Sequence, residues 1–320
     1  MASITAAQGG ETSRRARRRI NWNPYLFLLI PLTVYFIWII FPTLFSIYLS
    51  FTNWDGISPI PGPATLSFSN YNRLFADRDF AISFGNNVKW MLVFLTVPTT
   101  IGLALAMIFN TEIRGSRWFK ISFYAPLILS FVVIGTIWSW IYEPRAGIIN
   151  SVIVGVSQAL SSVFPFITPL ERGPGWLAER NLALWAIIGA AVWRQCGYVM
   201  ILYLAGLKNL DPSLVEAARV DGANGWALFR RVIFPLLGPI TTVVVVISVI
   251  DSLRAFDLVQ VMTRGGPGGA SNVLANFMYI EAFNNYNYGY GATIAVTLLG
   301  LSLIIIIPYL IRTARTELDY

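Results

Sequence analysis

The chain has 320 residues, of which 56% are hydrophobic and only 12% charged, with a mean hydropathy of +0.62 and a net charge of +7. Soluble domains carry roughly twice that charged fraction, and a globule of this size cannot bury so much apolar surface, so the composition excludes an ordinary soluble protein. The absence of histidine excludes histidine acid–base chemistry, and the lone Cys196 excludes an internal disulfide.

The first element is a basic segment followed by a long uncharged stretch. Residues 1–20 are predicted to be a flexible cytoplasmic N-terminus, because positive charge beside a span is typical of the cytoplasmic side. This placement favours a membrane and its lipid, rather than a nucleic acid, as the partner of the positive charge. The uncharged stretch is too long for a signal-peptide core, so residues 25–51 are predicted to be a retained first span. The basic residues concerned are Arg14, Arg15, Arg17, Arg18 and Arg19.

Five further apolar stretches have about the length that crosses a bilayer. A seventh uncharged run, 148–170, contains Pro165 and Pro169, and its first half is amphipathic, so we predict a helix in the membrane interface instead of a span. Six spans also put both termini and most loop arginines in the cytoplasm. The predicted fold is therefore all-α and multi-pass, in the cell membrane. The five stretches are 87–110, 121–142, 182–204, 237–262 and 289–311.

The loop between the fourth and fifth spans contains signals for two short helices. Asp211 is predicted to cap a helix over 213–220, with Pro212 at its first position. Gly222 is expected to end that helix in a left-handed conformation. A second amphipathic segment, 226–233, then leads to Pro235 at the membrane boundary. A solvated linker is the simpler alternative for such a loop.

Residues of this loop resemble the EAA–G–(I-x-L-P) motif of permease subunits of binding-protein-dependent ABC importers. Valine replaces the usual isoleucine of the motif and Phe234 the usual leucine, and both substitutions keep apolar bulk. Further segments are similar to the sugar-permease branch that includes the larger permease subunit of the maltose importer: WLAERNLALW at 176–185, LAGL at 204–207, TRGGPGGAS at 263–271 and YGYGA at 288–292. The motif residues are Glu216, Ala217, Ala218, Asp221, Gly222, Ala223, Val232 and Pro235.

This resemblance implies a type I ABC importer permease fold, with a transmembrane permease domain over 21–320. Its core would cover about 84–312, and a coupling loop about 205–236 would transmit the movement of the ATPase. The implied partners are a second homologous permease subunit, an ATPase dimer, an extracytoplasmic solute-binding protein and a sugar substrate. This chain would bind no cofactor and catalyse no reaction, since ATP and magnesium would be held by the ATPase. The implied coupling residues are Glu216, Ala217, Ala218, Asp221, Gly222 and Pro235.

Charged residues inside a span indicate a functional site. Asp251, Arg254 and Asp257 recur every three residues in the fifth span, so we expect them on one helical face. That face either lines the substrate pathway or forms a self-neutralising ladder that stabilises the bundle. Arg194 and Lys89 are weaker candidates of the same kind. Polar and aromatic residues near the sixth span could bind the hydroxyls and C–H faces of a sugar, or form an interfacial belt: Asn276, Tyr279, Phe283 and Asn284.

The sequence is also compatible with two other functions. A self-sufficient secondary transporter would use the three charged residues of the fifth span as a proton or sodium site. A membrane-embedded enzyme is disfavoured, because the sequence has neither histidine nor a clustered nucleophile and base. The glycine-rich segment 265–269 has no following lysine and is predicted to be a tight, partly re-entrant turn on the outer side rather than a phosphate-binding loop.

Overall fold

The computed structural model describes residues 23–111, 115–164, 166 and 168–318, with side chains described from 26 to 313 within those ranges. The predicted flexible segment 1–20 lies outside the described residues. The chain divides into two compact units, Met1–Phe45 and Ser46–Tyr320. The first contains α1 (Asn23–Tyr35), a π-helical turn (Phe36–Ile40) and the start of α2 (Phe41–Ser50).

The described part of the second unit contains helices joined by turns and loops and no strands, as the sequence predicts. Its helices before the coupling loop are α3 (Ser69–Ala76), α4 (Arg78–Asn110), α5 (Ser116–Ile128), α6 (Phe131–Ile141), α7 (Ile148–Val163) and α8 (Ala183–Lys208). The loop itself contains α9 (Pro212–Val220), α10 (Gly225–Leu228) and α11 (Phe234–Leu236). The remaining helices are α12 (Gly238–Leu253), α13 (Asp257–Met262), α14 (Leu274–Tyr279) and α15 (Tyr288–Leu318).

Within the described residues, 4 helical stretches are long and apolar enough to cross a membrane. Two bent pairs raise that number to 6 if each pair is one span, which agrees with the six predicted spans. The bent pairs are Ser116–Ile128 with Phe131–Ile141 and Gly225–Leu236 with Gly238–Met262. The four single stretches are Leu26–Ser50, Arg78–Asn110, Ala183–Lys208 and Tyr288–Thr313.

The predicted span 121–142 is not one straight helix. Its two halves, α5 and α6, meet at an angle of 108°. The break has a local cause, because Leu129 adopts an extended conformation after Pro126. The hydroxyl of Ser130 then accepts a hydrogen bond from the backbone N–H of Val133 at 3.3 Å and starts a new helix.

The predicted interfacial helix forms over Ile148–Val163. Three apolar side chains predicted to share a face, Val152, Val156 and Leu160, are exposed. Asn150 lies in the protein interior, where its amide Nδ2 donates to the carbonyls of Glu143 and Pro174, each at 3.2 Å. Asn150 is therefore buried while the apolar side chains of the predicted face are exposed, which fits a helix that lies against lipid.

Two adjacent asparagines of α4 connect separate parts of the second unit. The Nδ2 of Asn86 donates to the carbonyls of Ala270 and Asn272, both at 2.8 Å. The Nδ2 of Asn87 donates to the carbonyl of Ser252 at 2.8 Å, and its Oδ1 accepts from the backbone N–H of Leu274 at 2.8 Å. These side chains satisfy backbone groups that would otherwise be buried without partners.

The closest approach of α8 to α5 depends on a glycine. A Cβ at Gly197 would lie 1.9 Å from the carbonyl oxygen of Phe123, so Gly197→Ala should force the two helices apart. We expect a loss of about 1–3 kcal/mol in the free energy of unfolding, as for other overpacked cores, seen as a lower melting temperature in detergent. Gly155→Ala in α7 is the control, since no atom lies within 4 Å of its added methyl group. Equal melting temperatures for the two variants would contradict this packing.

Candidate functional site: the coupling loop and a cavity at a helix break

The first half of the coupling loop folds as predicted. The Asp211 carboxylate accepts a hydrogen bond from the backbone N–H of Ser213 at 2.9 Å and caps α9, with Pro212 in the first position. This bond lowers the pKa of Asp211 below its usual value. Gly222 has φ +84°, the left-handed conformation predicted for the end of the helix. The backbone N–H of Ala223 then donates to the carbonyl of Ala218 at 2.9 Å, which satisfies an end carbonyl of the helix.

The coupling candidates lie on the surface of this loop. Glu216, Ala217, Asp221 and Gly222 are exposed, and Ala218 is half-buried. The two alanines give a small, smooth surface, and Glu216 supplies a charge beside it. A solvated linker would not require an ordered, capped helix, so α9 argues against that alternative.

The second half of the coupling loop extends further than predicted. The Oδ1 of Asn224 accepts from the backbone N–H of Ala227 at 2.9 Å and caps α10. A π-helical turn over Phe229–Ile233 and α11 continue this helix, so the exposed Pro235 lies inside the helical segment and not at its end. Gly225–Leu236 meets Gly238–Met262 at 68°.

The expectation that Asp251, Arg254 and Asp257 share one continuous helical face is wrong. The helix α12 ends at Leu253, and α13 begins at Asp257. The three side chains nevertheless line one cavity of about 280 Å³ at this interruption. We call it the break cavity. No ion pair joins these three side chains within the described residues 251–257, so the ladder alternative is not present as direct ion pairs.

The other walls of the break cavity were not predicted from the sequence. An amide lies beside the acid, since the Nε2 of Gln195 reaches the Oδ2 of Asp251 at 3.4 Å. The guanidinium of Arg194 lies 4.2 Å from the ring centre of Phe131. Arg194 therefore stacks on a side chain that lines the cavity and is not itself a lining residue. In the sequence, these walls are indicated only by the aromatic and amide residues of the neighbouring spans. The additional lining residues are Trp90, Phe94, Phe131, Ala191, Gln195, Ala255, Phe256 and Leu258.

The candidates near the sixth span occupy different environments. Asn276 is fully buried and donates its Nδ2 to the Oδ1 of Asn272 at 2.7 Å, so it supports the Gly265–Gly269 turn and does not line the break cavity. The ring of Tyr279 is 5.2 Å from that of Phe256, a cavity wall, and 5.3 Å from that of Phe283. Phe283 and Asn284 are exposed. Lys89 is exposed and donates to the Oδ1 of Asn86 at 3.4 Å.

The glycine-rich segment is a tight turn, as predicted. Gly265, Gly268 and Gly269 have positive φ, and so does Arg264, at 54°. The hydroxyl groups of Thr263 and Ser271 are 2.8 Å apart and close the turn.

Apolar helices long enough to cross a membrane, with one span interrupted at a polar cavity, are typical of a multi-pass membrane transport protein. The family model for the binding-protein-dependent transport system inner membrane component matches residues 90–316, and the chain belongs to this family. It is therefore the transmembrane permease component of an ABC importer, as the resemblance implied. The alternative of a secondary transporter disagrees with this assignment.

Curated relatives cover nearly the whole chain. A probable ABC transporter permease protein of Pyrococcus horikoshii is 36% identical over 94% of this chain and 99% of its own length. The trehalose/maltose transport system permease protein of Thermococcus litoralis is 31% identical over 89% and 92%. The same fold occurs in a bacterial ABC transporter for the import of alginate, an acidic polysaccharide, with a TM-score of 0.73 and 20% identity over 92% of this chain and 96% of that one.

Proposed function

We propose that this chain forms the translocation pathway for a sugar, namely a di- or oligosaccharide or a related solute, delivered by an extracytoplasmic binding protein. The observation that carries this proposal is the break cavity. It combines two carboxylates, a guanidinium and an amide with the rings of Trp90, Phe94, Phe131 and Phe256. Such a mixture suits a pyranose, which presents hydroxyl groups at its edge and C–H groups on its faces.

The names of the relatives support a sugar as the substrate. One is a trehalose/maltose permease, and another, from Haloferax volcanii, is a xylose/arabinose import permease protein with 32% identity. A solved alginate transporter with this fold was crystallised with a pentasaccharide-bound periplasmic protein. We assign the same type of delivering protein to this chain.

The exposed α9 surface supports the assignment of an ATPase partner. We assign Glu216, Ala217, Ala218, Asp221, Gly222 and Pro235 to the loop that docks on an ATPase dimer in the cytoplasm, with both termini of this chain on that side. ATP and magnesium would bind to the ATPase. A second, homologous permease subunit would complete the pathway.

Alternating access is the proposed mechanism. Asp251 and Asp257 accept hydrogen bonds from sugar hydroxyls, Arg254 and Gln195 donate to them, and the aromatic walls exclude water from the bound ring. Closure of the ATPase moves the coupling loop, and the bent helix that follows it transfers this movement to α12. The break cavity then opens to the other side.

Reconstitution tests this function. The chain, its genetically neighbouring permease and the ATPase are placed in liposomes with the binding protein outside, and uptake of labelled maltose, trehalose and xylose is measured. We expect uptake of at least one sugar that requires both internal ATP and the binding protein. Transport by this chain alone, driven by a proton or sodium gradient, would overturn the proposal.

A further inference from the structure

A second cavity lies in the coupling loop, outside the surface assigned to ATPase docking. It has a volume of about 560 Å³ and opens where α10 continues into the π-helical turn. Two of its five lining residues are arginines, one is a tryptophan, and none is acidic. We call this the arginine pocket, and its residues are Asn224, Trp226, Ala227, Arg230 and Arg231.

The arginine pocket carries uncompensated positive charge. Arg230 and Arg231 are both exposed, and the guanidinium group of neither forms an ion pair or a hydrogen bond with another residue that the structure describes. Trp226 and Ala227 precede them by four residues each, a spacing that places such pairs on one helical face. The small Ala227 leaves room beside the two guanidinium groups, so an anionic group of another molecule can approach both.

The arginine pocket lies in the helical segment that leads into the predicted fifth span. The rings of Trp226, Phe229 and Phe234 form a row with centres 5.5 Å and 5.8 Å apart. Trp226 is 68% exposed, and the row ends at the exposed Phe234 and Leu236, immediately before the 68° bend into the span. Aromatic residues and arginines at the end of a span are typical of the region of lipid headgroups.

We propose that the arginine pocket binds the headgroup of an anionic phospholipid. The phosphate oxygens accept hydrogen bonds from Arg230 and Arg231, whose planar guanidinium groups match phosphate geometry. The Trp226 ring lies at the depth of the glycerol, and the acyl chains extend along Phe234 and Leu236. The proposal rests on the cytoplasmic orientation of the loop, since anionic lipids are concentrated in that leaflet. The aromatic row that leads from the pocket to the bend before the predicted span favours a lipid over a protein as the occupant.

The test uses the purified transporter complex in detergent. Native mass spectrometry counts bound short-chain phosphatidylglycerol, with phosphatidylcholine and inorganic phosphate as separate titrants. The wild type should retain phosphatidylglycerol preferentially. In Arg230→Gln/Arg231→Gln, the affinity should fall roughly thirtyfold, since each basic residue near the surface contributes about one factor of five. The control is Lys208→Gln/Arg219→Gln, which removes two charges from the same loop region outside the pocket and should change the affinity less than twofold.

A second variant distinguishes a loss of lipid binding from misfolding of the first variant. Ala227→Glu places a carboxylate between the arginines and should also remove the preference for phosphatidylglycerol, while melting temperatures verify that each variant is folded. Three results would overturn the proposal: equal losses in the pocket and control variants, inorganic phosphate that competes as well as the lipid, or wild-type lipid binding in the pocket variants together with loss of the ATPase from the complex. The last result would identify the surface as a protein contact, and the uptake assay above tests the transport function separately.

Discussion

Replacing Gly222 with aspartate or valine is expected to lower ATP-driven uptake roughly five- to a hundredfold while the chain still inserts into the membrane. The reason is conformational, because Gly222 has φ +84° and no atom lies within 4 Å of an added Cβ. A side chain would meet no neighbour, but its backbone conformation costs on the order of 1–3 kcal/mol. A cost of 1.4 kcal/mol lowers the equilibrium constant between the competent loop and its other conformations tenfold.

A nearby glycine provides the matched control for this prediction. Gly225 also has open space around it, but it lacks a positive φ. Gly225→Asp therefore adds the same charge to the same loop without the strain, and we expect its uptake to stay within twofold of the wild type. The measurement is ATP-dependent uptake in proteoliposomes, normalised to the amount of inserted chain. Normal uptake by both Gly222 variants would show that this turn does not transmit the movement of the ATPase.

Asp251→Ala is expected to reduce sugar uptake roughly ten- to a hundredfold. Asp251 lines the break cavity beside Gln195 and is one of the two acids that accept hydrogen bonds from the sugar in the proposed mechanism. Hydrogen bonds to a charged group contribute about 1.5–3 kcal/mol, which corresponds to that range. Asp251→Asn keeps one acceptor oxygen and should retain more uptake than the alanine variant. Asp257→Ala should also reduce uptake.

Ser252→Ala is the appropriate comparison for the cavity variants. Ser252 is adjacent in sequence and buried, but its hydroxyl donates to the carbonyl of Val249 at 2.8 Å and does not line the break cavity. Sugar uptake is measured together with ATP hydrolysis stimulated by the loaded binding protein. Unchanged uptake in both the Asp251 and Asp257 alanine variants would remove these residues from the pathway.

Hydropathy predicts the spans well but not their ends or bends. The helix α4 begins at Arg78, well before the predicted start at residue 87, because the Asp77 carboxylate caps it through the N–H of Asp79 at 2.8 Å. The charged residues of that first turn lower the local hydropathy, so hydropathy alone places the start of the helix too late. The 108° bend between α5 and α6 depends on how the two halves pack, and hydropathy contains no such information.

Local signals explain which parts of the site could be predicted. The cap at Asp211 and the turn at Gly222 depend on residues close in sequence, so the sequence predicts both. The interruption of the fifth span at 254–256 has no proline or glycine to mark it. The spacing of its charged residues therefore predicts one helical face, and no local signal indicates walls such as Gln195, which distant spans contribute.

The two hydrogen bonds of Asn87 limit how this protein can move. Pulling α4 away from the end of α12 or the start of α14 would leave the carbonyl of Ser252 or the N–H of Leu274 buried without a partner. Each such loss costs about 1–3 kcal/mol. We therefore expect these three segments to travel as a rigid block during each transport cycle, with the hinge at the bend that precedes α12.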